Sequence, residues 1–594
     1  MKIKIYKKIA VTLAIAMVFT ACSDSFLEQT NPNEPTTDTF WKTTGDLYYG
    51  VVSIYNALKE DNVLLIKDET YRSDLSWPGF GRPTTDNVAY LQIFNNSYAP
   101  SNLKWGALYR GVFRANQVIA AYERIAPTLT KDTDIAAAKV MYAEAKALRG
   151  LFYFYLYNCF NNGSVPLFDS VPQSANEYNK PLSPAETVKA FYLADFEDSK
   201  DILPISWSAA SKGRITSGAV YAMLGQSYLY EKDYVKAAEL FKKVITNFGF
   251  ALTTDIGSNF TSRDEHNSES ILEVNYATEY KSGISVNDIQ QVSSAIGGQF
   301  ASGSVGGFRT VLPSSWLTML YKNEKLDQTD LRNIAKAADG TIKARKYSLR
   351  ASQSIALVDD EFTPYYLSAT PADATPFNNS ETSYFRKYSN WDIVANEKQV
   401  ATSFFRSGIN VRIIRLADIY LLYAESLIKG GTDNSALDQA LLYVNKVRRR
   451  SAVQLLGPIG SGEYPTNDHD DITYTAQSLM NHLMYIERPL ELAIEGNATR
   501  TIDMRRWGIT KTRMQELSTR RYYATDYIFK SSTTGQNVTR FTSVLHDLSE
   551  SPTKPINANF NEFGNSVKNF DANIHSYWPI PSSELTSNTA LITN

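Results

Sequence analysis

The chain has 594 residues, with 60 basic and 62 acidic side chains and a net charge of −2. That near-balance excludes nucleic acid as an expected partner, because nucleic acid calls for a concentrated basic surface. With only two cysteines, Cys22 and Cys159, a disulfide framework and a cysteine-ligated metal are excluded as well.

In chain order, the first element is a targeting segment. Lys2, Lys4, Lys7 and Lys8 form a basic start, and Ile9 to Phe19 form an apolar run too short for the about 20 residues of a spanning helix. The run ends in Phe19-Thr20-Ala21-Cys22, small residues before a cysteine, and resembles the lipobox of bacterial lipoproteins. Residues 1–21 are therefore expected to be a lipoprotein signal peptide. Cys22 is the expected lipidation site, and residues 22–38 an anchor and linker extended through Asn31-Pro-Asn-Glu-Pro-Thr-Thr-Asp38. At about 0.8 kcal/mol per buried CH₂, two or more acyl chains give stable membrane attachment where one does not. Cys159 lies in the aromatic run Leu151 to Phe160 and reads as a small buried apolar residue.

The remaining body, residues 39–594, exceeds one ordinary hydrophobic core. Apolar residues recur at helical spacing from Trp105 through Leu108, Val112, Ala115 and Ile119, and from Ala138 through Met141, Ala145, Leu148, Phe152 and Tyr155, which predicts a helical hairpin. Ser183-Pro184-Ala185-Glu186 has the form of a capping box with proline at the first helical position. Between Ile215 and Gly249, Tyr221, Leu224, Gly225, Tyr228, Ala237 and Phe241 fall at tetratricopeptide spacing, where small residues let two antiparallel helices approach. From about 250 to 410 periodicity fades and glycine, serine and threonine rise, so irregular structure with a few short strands is expected. Ala417 to Leu427 and Ala436 to Arg449 predict a last helix pair. One repeat cannot bury its own face, so such pairs should stack.

The fold class expected is thus mainly α: tetratricopeptide-like hairpins packed against an irregular, loop-rich half. The scaffold should occupy approximately 39–250 and 410–510, the variable ligand-binding part 250–410, and a C-terminal part 511–594.

Several segments carry a resemblance to the SusD/RagB family of outer-membrane nutrient-binding lipoproteins. They are Phe40-Trp41 with Asp46 to Leu58, Tyr109 to Asn116, Ala143 to Tyr153, and Gly163 to Leu167. The later ones are Arg415 to Glu425, Val444 to Arg448, Glu487 to Gly496, Asp503 to Gly508, and Tyr577 to Pro581 with Glu584-Leu585. After Gly496, Asn497-Ala498-Thr499-Arg500 replaces a shorter family spacing. The resemblance implies a cell-surface protein that binds oligosaccharides and delivers them to a SusC-like TonB-dependent transporter, without catalysis and without a cofactor. Some relatives handle peptides, which leaves a peptide ligand open. Arg415, Glu425, Glu487, Arg488, Glu491, Glu495 and Arg506 within these blocks suit a buried or half-buried ion network, with helix-surface pairs as the alternative.

A sugar ring offers patches of C–H beside hydroxyls, so its site needs exposed aromatic faces and planar polar side chains. Two stretches meet that demand. In the first, Arg72, Asp74, Trp77, Phe80, Asn87 and Tyr90 surround Pro78, Gly79 and Gly81, a loop signal that predicts exposure of Trp77 and Phe80. The second contributes Phe308, Arg309 and Trp316, and Trp391 is a third candidate. Trp105 and Trp507 lie on predicted helices and read as core.

Catalytic signatures are weak. The five histidines show no zinc spacing, and neither a Gly-x-Ser-x-Gly elbow nor a phosphate-binding loop occurs. Asn467-Asp468-His469-Asp470-Asp471 lacks the glycine and glutamate of a calcium loop and reads as a solvated acidic turn. A surface glycoside hydrolase, which needs two carboxyls about 5–10 Å apart, remains the alternative, as does a protein-binding tetratricopeptide scaffold.

Overall fold

The computed structural model describes residues 40–79, 82–278, 293–400, 406–431, 434–550, 553–554 and 556–592. The signal segment, Cys22, the linker and Phe80 therefore lie outside the described residues.

Among the described residues eight long helices make the scaffold: α1 (Thr44–Leu58), α2 (Ala99–Ile125), α3 (Asp132–Cys159), α4 (Ala185–Ser199), α5 (Ser217–Tyr230), α6 (Tyr234–Asn247), α7 (Leu416–Gly430) and α8 (Asn434–Arg450). Neighbours stack in the order α1, α2, α3, α4, and then α5, α6, α7, α8. Gly225 shows why the tetratricopeptide pattern works, since a Cβ there would sit 2.6 Å from the Phe241 ring of the facing helix. Without that side chain α5 and α6 close onto each other and bury Ala237, Leu240, Phe241 and Val244. α1 starts at a capping box in which Thr43 and Asp46 satisfy each other's backbone N–H. The box expected at Ser183 does not form. Pro184 is the cap residue of α4 and no side chain caps it, because the Ser183 N–H is spent on the Val165 carbonyl at 3.0 Å and Glu186 turns to Lys189 at 2.7 Å.

Outside the long helices, short strands form antiparallel pairs. β1 (Ser76–Pro78) pairs with β3 (Val311–Pro313), and β2 (Ser270–Val274) with β8 (Val411–Arg415). β4 (Ile334–Lys336) pairs with β5 (Ile342–Ala344), and β6 (Ile355–Leu357) with β7 (Ser383–Phe385). The longest ladder joins β9 (Tyr522–Lys530) to β10 (Asn537–Asp547). Except for β4–β5 and β9–β10, the partners are distant in sequence, and β1 and β3 bring the two aromatic stretches singled out above side by side. Among the described residues no helix is long and apolar enough to cross a membrane.

Buried charge ties Glu269 and Lys387 to the segment from Arg415 to Arg506. Arg415 at the end of β8 meets Glu269 at 2.7 Å, Glu491 at 2.6 Å and Glu495 at 2.6 Å. Arg450 joins Glu269 at 2.9 Å, and Lys387 joins Glu495 at 2.5 Å. Arg488 bridges Asp418 and Asp503, both at 2.7 Å, and Arg506 holds Glu425 at 2.5 Å. All these side chains are buried, so the surface-pair alternative is set aside. Every carboxylate has an opposing cation, the condition under which buried ions persist.

Candidate ligand-binding site

The geometry of the first aromatic stretch is set by Gly79. Its N–H donates to the Thr310 carbonyl at 2.6 Å, and a Cβ at this position would lie 1.7 Å from the Arg309 carbonyl oxygen. Only glycine lets the two backbones approach this closely. Segment 307–310 is held from its other side, with the Phe308, Arg309 and Thr310 N–H groups donating to Gly298, Ala301 and Gln299 at 2.7, 2.8 and 2.9 Å. The ring of Phe308 projects from this fixed ribbon with 39 % of its surface exposed.

Beside it, Arg309 donates to Glu381 at 2.6 Å. Burial raises the Glu381 pKa, against the lowering effects of Tyr384 and Arg309. Arg309 sits at φ 47°, and Phe377, Asn379 and Ser380 at 50°, 58° and 60°, a concentration of left-handed backbone that non-glycine residues rarely adopt. Exposed Asn378 and Asn379 edge this turn, and the Asn559 amide closes it by donating to Ser380 Oγ at 2.9 Å. The rim thus offers one aromatic face, a half-buried guanidinium and two planar amides, a set able to stack on a sugar and hydrogen-bond its hydroxyls.

Most of the residues expected from sequence to bind ligand are elsewhere. Trp77 is 2 % exposed, a strand residue rather than a loop residue. The Arg82 guanidinium covers its face at 5.0 Å and Tyr90 packs edge-on at 5.2 Å, so the expectation of an exposed tryptophan is corrected. Arg82 itself is anchored on Glu562 at 2.5 Å. Asp74 is fully buried, paired with Arg500 at 2.7 Å and Arg513 at 3.1 Å. Burial opposes its ionisation, but the two guanidinium groups outweigh that and hold its carboxyl below the ordinary value. Trp316 is buried with its indole N–H donating to the Asp74 carbonyl. Arg72 stacks on Trp578 at 4.0 Å and pairs with Glu69 at 3.2 Å, while the buried Tyr90 hydroxyl accepts the Phe563 N–H at 3.0 Å. Asn87 spends its carbonyl on the Tyr90 N–H at 2.9 Å. Trp391 is half-buried under Arg386, 3.8 Å above its ring.

Of the ten candidates, Phe308 and Arg309 are the ones placed at the rim, and Phe80 lies outside the described residues. The contribution of residues 378–381 was missed, although Asn378-Asn379-Ser380 is a turn signal in the sequence. At the acidic turn, Asp470 accepts the Gly457 N–H at 2.9 Å and the Tyr474 hydroxyl at 2.6 Å. With His469 buried beside it, this turn is a structural brace rather than the solvated feature expected.

Comparison with known proteins decides the family. A family model described as the SusD family matches residues 268–594, more than half of the chain. The chain belongs to the SusD family. A second model, described as starch-binding associating with outer membrane, matches residues 25–229. A SusD-like protein of Bacteroides ovatus is 26 % identical over 76 % of this chain and 78 % of its own length. Among solved structures, a SusD superfamily protein of Bacteroides vulgatus superimposes with a TM-score of 0.67 at 22 % identity, covering 93 % of this chain and 98 % of that one. A laminarin-binding SusD-like protein gives a TM-score of 0.60 at 21 % identity, with 92 % and 98 % covered. These likenesses establish the SusD fold, mainly α with few short strands.

Proposed function

We propose that this SusD-family chain captures an oligosaccharide at the β1–β3 rim and passes it to a SusC-like TonB-dependent transporter, without cleaving it. The observation that carries the reading is the rim itself, with Phe308 exposed on a backbone fixed from both sides and Arg309 next to it joined through Glu381 to the turn that bears Asn378 and Asn379. Supporting it are the laminarin named for one structural relative and the outer-membrane association in the description of the matching family model. Residence at the cell surface follows from acylation of Cys22 within this reading. Non-catalytic binding is favoured because Glu381, which meets Arg309, and Glu562, which meets Arg82 over Trp77, are each engaged by an arginine, whereas a glycosidase needs an opposed pair of acids.

The test is a glycan array followed by calorimetry on the mature chain, with product release assayed on every ligand bound. Binding of a neutral oligosaccharide that Phe308→Ala weakens, with no new reducing ends, supports the reading. Hydrolysis of the bound glycan, or binding of peptides alone, overturns it.

A further inference from the structure

A cavity of about 440 Å³ opens in the helical half, away from the rim and sharing no lining residue with it. Trp105, Tyr109 and Phe113 of α2 line it together with Phe168, Tyr178 and Glu584, and the Tyr109 and Phe168 rings meet edge-on at 5.8 Å. Such a volume falls within the roughly 300–1,000 Å³ usual for small-ligand sites.

The walls are braced rather than loosely apposed. Asn116 donates to the Phe168 and Ser170 carbonyls at 2.9 and 3.1 Å, and Arg149 to that of Asp169 at 3.0 Å. From the C-terminal side, Asn588 donates to the Lys180 carbonyl at 2.8 Å and the Thr589 N–H to Asn179 at 2.9 Å. A site so fixed loses little entropy when it fills. Gly106 lines the cavity from the middle of α2, where glycine is unfavourable, yet a Cβ there would meet nothing within 4 Å. Packing does not require this glycine, and its effect is to keep the cavity open.

We propose that this cavity is a second saccharide site, one that takes a neutral pyranose ring against its aromatic lining with its hydroxyls donating to Glu584. The carboxylate accepts one long bond from the Trp105 indole, 3.3 Å, and one from Asn588, 2.9 Å, which leaves lone pairs on both oxygens. A cation is the other guest that an aromatic cage with an acid would take. Here the Lys180 ammonium already lies 5.8 Å above the Phe168 ring and opposes a second positive charge. The inference rests on the cavity's own lining and stands apart from the reading of the rim.

Titration of neutral oligosaccharides from a glycan array into the mature wild-type chain, Gly106→Trp, Tyr178→Ala and Phe308→Ala tests it. Gly106→Trp fills the opening and Tyr178→Ala removes one half-exposed wall. The expected result is at least one glycan whose affinity falls tenfold or more in both cavity variants while their unfolding temperatures match the wild type. Unchanged binding of every glycan by Gly106→Trp and Tyr178→Ala overturns the inference. Loss confined to Phe308→Ala removes the cavity proposal and keeps the rim. Loss confined to the cavity variants does the reverse, and no loss anywhere removes both.

Discussion

Arg500 grips Asp74 through two parallel hydrogen bonds of 2.8 and 2.7 Å, although 426 positions separate the two residues. Both are buried, and Arg513 adds a third contact to the same carboxylate. Removing the acid alone strands two guanidinium groups in the interior. Asp74→Ala is therefore expected to cost about 3–5 kcal/mol of stability, read as a shift of the urea midpoint. A loss under about 0.5 kcal/mol, the scale of an ordinary surface change, would contradict the pairing.

Trp77 and Phe308 lie close together in the structure yet should answer oppositely to alanine. Trp77→Ala empties a buried site and should cost about 3–5 kcal/mol. Phe308→Ala should leave stability within about 0.5 kcal/mol but weaken glycan binding by about 1 kcal/mol, roughly fivefold. Paired calorimetry and thermal unfolding check both, and the reverse pattern would return Trp77 to the ligand.

Acid should loosen the junction between the halves. Burial works against the charge on Glu269, but Arg450 and Arg415 prevail and hold its pKa at about 2. Glu273, also penalised by burial, is held at about 2 by His266 and Arg412. Carboxyls depressed in the folded state contribute stability above their unfolded values near 4.5, and that contribution drains away as pH falls through about 2. Urea midpoints should decline steadily from pH 5 to pH 2.5, and Glu269→Gln should make the decline shallower. A flat profile would argue against this coupling.

Gly79→Ala is expected to disturb the rim more than its size implies. The added Cβ meets the Arg309 carbonyl oxygen, which is backbone and has no side-chain freedom to yield. Segment 307–310 must move, carrying Phe308 with it. Glycan affinity should drop at least as far as in Phe308→Ala, accompanied by lost stability, and hydrogen exchange at Gly79 and Phe308 should quicken. Unchanged exchange at those amides would show that the strands do not need the close approach.

What was legible in the sequence follows from the range over which each signal acts. The helices α2, α3, α5, α6, α7 and α8 announce themselves because a 3.6-residue period is written locally. The charges of the interior network were visible as residues, and their helical spacing hinted at pairing, but the match of Asp74 to Arg500 depends on chain paths no local pattern encodes. Trp77 misled for the same reason. Proline and two glycines around it signal a turn, whereas a three-residue strand whose partner is Leu312 leaves no periodic trace. The rim was half legible, since Phe308 and Arg309 were singled out and residues 378–381, which meet them at the Arg309–Glu381 ion pair, were not.

The indole of Trp578, fully buried, stacks beneath Arg72 and packs against Phe94 and Tyr98, and its N–H donates to Glu69 at 2.7 Å. A late residue of the chain is in this way interior to a segment 509 positions before it. A nascent chain halted before that tryptophan lacks the plug of the segment between α1 and α2, so vectorial synthesis is not mirrored by vectorial folding there. Polypeptides ended at residue 570 should consequently be protease-sensitive across the segment 60–100, far from the cut.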